Sequence, residues 1–410
     1  MHRASSGGRR PQGRWLVKRF DFAVIGGGPA GASAARRLAL AGASVALFER
    51  RAMPRFKACG GALSRQAMAW LDFPVPDRLI NREIFGIRVH VGGAVIEARE
   101  AQRVAVLVSR APFDHYLVSQ AEEAGAAVFW LNVNSIEVRS DGVTLATLDG
   151  PWAVRCVLIC EGANRRLGLA VAGRDPPNGR GFCFQAEIPV TDPDPYADLG
   201  GLLDIYFAAV GYGYGWVFHH GSHYNVGVGS LCSMFDAPRE TFRRFVAARG
   251  LVLDGARTWG HFLPSGGLAR RVAGDRVLLA GDAAGFVDPF QGEGLAYAIR
   301  SGQLAAEAAL DAARANDFSR ASLATYEDAC DRAFGRNLVY SRRLMRFMHG
   351  WPSVFIDGVA TEPPVVRRFL EIAAGRLSYR RFLGWMLPRA PWFWLRSRLT
   401  ARQRSAVKFG

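Results

Sequence analysis

Two glycine-rich turns, one near the start of the chain and one well into its second half, constrain this sequence more than any other feature. The early one reads Gly26-Gly27-Gly28-Pro29-Ala30-Gly31; the late one occupies residues 281–295, GDAAGFVDPFQGEGL. Each follows a short apolar run, residues 22–25 and 276–280, and each opens a helical pattern, residues 30–41 and 295 onward. Strand, turn and helix in that order, twice over, predict one α/β body gripping a single nucleotide from both ends.

The residue types suit that task. Gly26 permits a tight turn, Gly28 lets the backbone approach a pyrophosphate, and Gly31 lets helix and strand pack closely. Ala30 stands in the first helical turn, whose amides face the phosphates. A second apolar run, residues 45–48, ends at Glu49 with Arg50 beside it, about 20 residues past the third glycine, where a carboxylate accepts hydrogen bonds from an adenosine ribose. In the late turn Gly281 and Asp282 place a carboxylate for a sugar, and Gly292, Gly294 and Leu295 open a helix whose dipole favours negative charge. A second strand-turn-helix with no ligand is the competing reading, but D-P-F-Q-G-E-G is unusual loop chemistry for a mere connection.

Three further pieces accompany the turns: residues 54–64, PRFKACGGALS; residues 109–114, SRAPFD; and residues 213–218, GYGWVF. Over most of residues 20–320 the chain resembles the geranylgeranyl reductase family of FAD-dependent oxidoreductases, within the p-hydroxybenzoate hydroxylase-like fold group. It departs from the pattern at His219, where the family's Y-x-W-x-F-P strand has proline, and at Glu161-Gly162, where the fold group has Asp-Gly.

The resemblance implies an α/β fold: a Rossmann-type FAD-binding domain interleaved with an antiparallel-sheet substrate domain, plus a C-terminal helical region. FAD is the implied cofactor, with Asp282 at its ribityl chain, Arg110 in contact with it and Val133 lending backbone groups to the adenine; a solvated Arg110 is the alternative. The loop Cys59-Gly60-Gly61 is implied to lie against the isoalloxazine. Cys59 is the catalytic candidate, as gate, proton relay or redox partner, against the reading of an inert buried thiol.

The implied reaction is reduction of carbon-carbon double bonds in a hydrophobic prenyl substrate: a geranylgeranyl-type lipid, a quinone tail or a pigment precursor. Tyr206, Tyr214, Trp216 and Phe218, bulky groups on alternating strands, are candidates for lining its cavity, although ordinary sheet packing accounts for each. No second G-x-G-x-x-G follows, so an external donor, NAD(P)H, a ferredoxin or a quinol, is expected to supply electrons. A flavin-dependent monooxygenase of the same fold is the main alternative. A halogenase would carry W-x-W-x-I-P, which residues 215–219 lack; a noncatalytic membrane-docking flavoprotein is the third reading.

Strand patterns at residues 84–90 and 94–98, and then at 182–188, 202–207, 214–219 and 224–229, predict an antiparallel sheet inserted into the nucleotide domain. The expected organisation is residues 1–19 as a basic disordered tail; 20–75, 103–178 and 266–318 as the FAD-binding domain; 76–102 and 179–265 as the substrate sheet; and 319–410 as helices ending in a basic aromatic tail.

The net charge of +16 resides in the ends: residues 1–19 carry six Lys or Arg and no acid, residues 365–410 carry eleven and one acid. Nucleic acid is an unlikely partner, because the aromatics near the C-terminus form an apolar block without a recognition motif. Residues 380–410 suit the boundary of an anionic bilayer, with Trp at headgroup depth and Arg at phosphate; a helical cap packing its aromatics on the core explains the same pattern. Six cysteines without metal-ligand spacing, no apolar run long enough to span a bilayer and no signal-peptide pattern lead to the expectation of a cytoplasmic protein, at most peripheral on the inner face of the membrane.

Overall fold

A computed structural model describes residues 17–91, 93–173, 180–207, 209, 213–264, 271–352, 354–355 and 362–396. Its first layer is an eight-stranded sheet, whose spine runs Ala273–Gly274, Val277–Leu279, Gly150–Ile159, Lys18–Ile25, Val45–Phe48, Ala127–Phe129. All the pairings of Lys18–Ile25 and Val45–Phe48 are parallel. Val45–Phe48 and the second half of Lys18–Ile25, Phe22 to Ile25, are wholly apolar and buried, as strands covered on both faces must be. The sheet order reverses direction at Lys18–Ile25, with Val45–Phe48 on one side and Gly150–Ile159 on the other, and such a switch point leaves a crevice at the strand ends.

Two helices pack together over this sheet. The first, Pro29–Leu40, buries a run of alanines and Leu38. The long helix Leu295–Ala315 presents Ala298, Ser301, Gly302 and Ala305 among its buried residues. Small side chains on both permit an unusually close crossing, which fixes where their N-termini point.

The second layer is a seven-stranded sheet, ordered Thr258–Pro264, Arg180–Pro189, His223–Leu231, Tyr214–His219, Leu202–Phe207, Gly86–Val91, Ala94–Arg99. It is antiparallel except that Leu202–Phe207 runs parallel to Gly86–Val91. The exception arises because these neighbours are separated in sequence by an excursion through the first layer, so no hairpin dictates their direction. The helix Pro238–Ala247 covers one face with Phe242, Phe245 and Val246. The other face turns toward the nucleotide layer and is closed by the C-terminal helices Pro363–Ala373 and Tyr379–Met386, through Phe369, Leu370, Phe382 and Met386.

The aromatic C-terminal segment therefore divides. Tyr379, Phe382, Leu383, Met386 and Phe393 are buried, whereas Leu387, Trp392 and Leu395 are exposed. Residues 1–16 and 397–410 of the basic ends lie outside the described residues. Among the described residues, no helix is long and apolar enough to cross a membrane, all six cysteines are free, and no cluster of potential metal ligands forms.

Candidate functional site

The two glycine turns, remote in sequence, touch. A β-carbon built on Gly302 would lie 2.1 Å from the Ala30 carbonyl oxygen, and one on Gly281 would lie 2.9 Å from the Ala30 methyl. The first helix itself sits on its strand so closely that a β-carbon on Gly31 would be 1.8 Å from the Gly26 carbonyl oxygen. Gly26, at φ +111° with the Cys160 carbonyl against it, admits no side chain either. Both helix N-termini, at Gly28 and Gly294, consequently open onto one cavity of about 740 Å³.

Along the cavity's polar end, Gly28 has no protein atom closer than the Arg55 guanidinium at 3.7 Å from its β-position, leaving room for a phosphate. Glu49 accepts from the Gly27 amide at 3.0 Å and the Arg51 amide at 3.1 Å, and pairs with Arg55 at 3.2 Å. Arg55 continues to Asp114 at 3.1 Å, and Asp114 holds Arg110 with two hydrogen bonds of 2.7 and 2.9 Å. Burial works against the Arg110 charge, but Asp114 prevails and raises the guanidinium above its ordinary value. The four groups form a neutral chain of alternating sign, the condition under which buried charges are tolerated. Arg110 is thus a held, buried group facing the cavity rather than a solvated one.

Val133 is buried at the same end, with its carbonyl already accepting from Arg166 at 2.5 Å. Arg50 and Asp282 line the cavity, as do Ala30, Gly292, Gly294 and Leu295. Gly31 and Gly281 do not line it; their absence of side chains sets the helix positions behind it.

Cys59, Gly60 and Gly61 line the cavity, with Gly60 against Phe218 and Trp216 of the second sheet. The backbone of this loop is fixed by the substrate sheet: Asn225 donates to the Cys59 carbonyl at 3.1 Å and itself accepts from the Trp216 indole at 2.9 Å. His220 meets the Gly60 carbonyl with Nε2 at 3.1 Å, while its Nδ1 faces the Asn81 amide at 3.0 Å. That pattern assigns a neutral ring protonated on Nε2, in accord with burial, aided by His223, pushing its pKa down to about 4. The Cys59 thiol accepts from the Gly61 amide at 3.4 Å and is reached by the Arg110 guanidinium.

Beyond the loop the cavity becomes apolar. The sheet contributes Ile87, Val89, Leu203, Ile205, Phe207 and Trp216; Phe290 and Phe369 close the far side. Trp216 and Phe218 line this chamber, and Tyr214 spends its hydroxyl on the Gln291 carbonyl at 2.9 Å, tying the sheet to the late turn. Tyr206 does not line it. Side chains alternate along a strand, so with Leu203, Ile205 and Phe207 facing the chamber, Tyr206 faces the opposite side, stacked on His90 and bonded to Asp204. Its assignment to the substrate cavity is corrected accordingly.

Residues the sequence reading left without roles also line the site. Lys57 Nζ lies 2.5 Å from His261 Nε2, across the interface of the two layers. Burial lowers the Lys57 pKa, and burial together with the lysine's charge pushes His261 down to about 4. Two adjacent bases, each harder to protonate than in water, thus stand at the cavity wall. Phe56 stacks on Trp259 at 4.1 Å beside them.

A cavity onto which two helix N-termini open, with the carboxylates of Glu49 and Asp282 on its wall and glycines where side chains would collide, fits FAD, and the fold and cavity define an FAD-dependent oxidoreductase. The family described as FAD dependent oxidoreductase matches residues 21–102. The geranylgeranyl diphosphate reductase of Rhodobacter capsulatus is 32% identical over 310 residues, 71% of this chain and 75% of that protein. A menaquinone reductase of Mycolicibacterium smegmatis is 30% identical over 360 residues, covering 80% and 86%. Among solved structures, a geranylgeranyl bacteriochlorophyll reductase-like protein from Thermoplasma acidophilum superposes with a TM-score of 0.77 at 22% identity, over 92% of this chain and 98% of that one. The chain belongs to the geranylgeranyl reductase family.

Proposed function

We propose that this enzyme reduces carbon-carbon double bonds in the prenyl chain of a lipid, quinone or pigment precursor. The observation that carries the reading is the apolar chamber opening directly onto the Cys59-Gly60-Gly61 loop. A charged or polar substrate would leave its own groups unpaired against Ile205, Phe207, Phe290 and Phe369, whereas a prenyl chain loses nothing there. Reductases of geranylgeranyl and menaquinone substrates among the relatives support the same class.

In this reading Gly28 and the first helix receive the pyrophosphate, Glu49 and Arg50 the adenosine end, Val133 the adenine, and Asp282 the ribityl hydroxyls. A flavin held by these residues would supply the hydride equivalent that the reduction needs. The chamber walls exclude water, Gly60 and Gly61 let the loop lie close to the reacting bond, and Cys59 touches the reactants from that loop. Lys57 and His261 stand at the wall as adjacent bases. Electrons arrive from a soluble or membrane donor that docks transiently.

Anaerobic single turnover tests the reading against monooxygenation. Dithionite-reduced holoenzyme mixed with geranylgeranyl diphosphate or a prenyl quinone should reoxidise its flavin and yield product heavier by one H₂ per bond. A flavin that reoxidises only with oxygen, giving product heavier by one oxygen atom, would establish the monooxygenase instead.

We further propose that Leu387, Trp392 and Leu395, exposed in the same C-terminal stretch as the exposed Arg380, Arg381 and Arg389, touch an anionic membrane from which the substrate enters. Deleting residues 380–410 is the wrong test, because Phe382 and Met386 are core residues. Leu387→Glu with Trp392→Glu should abolish sedimentation with anionic vesicles while FAD stays bound; unchanged sedimentation removes the membrane role.

A further inference from the structure

A second cavity, of about 210 Å³, lies behind the late glycine turn. It is polar where the first is apolar: Gln66, Asp288, Gln291, Glu293, Tyr297 and Asn337 face it. Its rim, at Ala333, Gly375 and Ser378, is exposed to solvent, and its inner end reaches buried Asp288. Gln291, Glu293 and Ala373 line both cavities and so form the partition between them. Of these three only Glu293 has an ionisable side chain.

We propose that Glu293 is the proton-transfer residue between this solvent-facing recess and the reaction cavity. The inference rests on the reading of the main cavity as a reduction chamber. Saturating one double bond consumes two electrons and two protons: the electrons leave the reduced flavin, one hydrogen travels with them as hydride, and one proton joins the other carbon. When an external electron carrier restores the flavin, protons must come from bulk water, and the apolar end of the chamber, walled by Phe207, Phe290 and Phe369, does not conduct them. The recess behind Glu293 supplies a polar path that bypasses the substrate.

The carboxyl is held for such service. It accepts from the Ala296 amide at 3.2 Å, at the start of the long helix, and from Ser64, which also lines the reaction cavity. The other titratable groups around it are Asp288 and Tyr297; Ser64, Gln66, Gln291 and Asn337 complete its surroundings without charge. Burial, opposed by the Ala296 and Ser64 hydrogen bonds and reinforced by Asp288, raises its pKa from 4.5 to about 7. A carboxyl poised near neutrality exchanges protons in both directions.

The sign follows from charge. Negative charge left on the flavin by two-electron reduction raises the Glu293 pKa further, so above about pH 7 the carboxyl binds a proton as the flavin is reduced; well below pH 7 it is already protonated and contributes none.

The test counts protons taken up, with an indicator dye in weak buffer, as holoenzyme is reduced anaerobically with dithionite between pH 6 and 9. Glu293→Gln should take up fewer protons than wild type, by a substantial fraction of roughly one per flavin at slightly alkaline pH, and the same number at pH 6. Flavin reoxidation by prenyl substrate should slow at least about tenfold and lose its pH dependence. Equal proton counts in the two proteins at every pH overturn the proposal. If Glu293→Gln does not retain FAD, Ala333→Trp, which obstructs the rim and leaves Glu293 in place, should slow proton uptake in stopped flow; an unchanged rate likewise overturns it. The dithionite count needs no prenyl substrate, so its failure is distinguishable from a wrong substrate class.

Discussion

The close crossing of the two cofactor-facing helices can be broken by one methyl group. In Gly302→Ala the new carbon would lie 2.1 Å from the Ala30 carbonyl oxygen. A methyl carbon rests about 3.2 Å or more from an oxygen, so the helices must part by about 1 Å. Neither partner is a flexible side chain: the contact is backbone on backbone, and Gly302 and Ala30 are both buried. Overpacking of this kind costs about 1–3 kcal/mol, and separating the turns at Ala30 and Gly281 should weaken FAD by a similar amount, about 5- to 150-fold in Kd. Gly384→Ala supplies the control, because its β-position meets nothing within 4 Å and it sits in the helix Tyr379–Met386. Helix propensity predicts that this control is neutral or stabilising by up to about 1 kcal/mol. Flavin fluorescence titration and thermal melts of apoprotein and holoprotein read both effects. If Gly302→Ala binds FAD and melts like wild type while Gly384→Ala behaves as expected, the argument that helix contact sets the cofactor turns is wrong.

Other outcomes follow from the same geometry. Asp114→Ala should destabilise the holoenzyme by about 3–5 kcal/mol in denaturant titration, because it strips Arg110 of its carboxylate and Arg55 of one of two, leaving buried charge uncompensated; a loss below about 1 kcal/mol contradicts the buried network. His220, with a folded pKa of about 4 against 6.5, is favoured neutral, so its contribution is intact above pH 6.5 and disappears as pH falls toward 4. His220→Gln should flatten the fall of melting temperature across that window, and an unaltered slope counts against the neutral-ring assignment. Phe207→Ala should raise KM for a prenyl substrate, whereas Tyr206→Phe, on the other face, should leave kinetics alone and lower stability by about 1 kcal/mol; the reverse pattern refutes the facing of that strand.

The strand Leu202–Phe207 shows where sequence reasoning stops. Its extent is readable from apolar content and flanking glycines, but its facing is not, because Leu202 and Tyr206 pack on one side while Leu203, Ile205 and Phe207 line the other. With both faces covered, period-2 alternation loses its polar marker. The glycine turns were legible because their chemistry is local: residues adjacent in sequence make the turn, the packing and the amide array. Lys57 with His261 was not, since those residues meet only through the docking of two sheets. The C-terminal aromatics were legible as amphipathic but not in their division, which depends on how Pro363–Ala373 meets the sheet face. The role of Arg55 was hidden for a similar reason, its partners Glu49 and Asp114 being brought together from either side in sequence.

The floor of the chamber comes from Phe369, Leu370 and Ala373, on a helix that follows every other wall in the chain. Ribosomal synthesis runs from the amino end, so both cofactor turns have emerged before that floor exists. During this interval the nascent protein presents an uncovered greasy sheet face, and its vulnerability to aggregation ends only when residues 363–373 fold back over it.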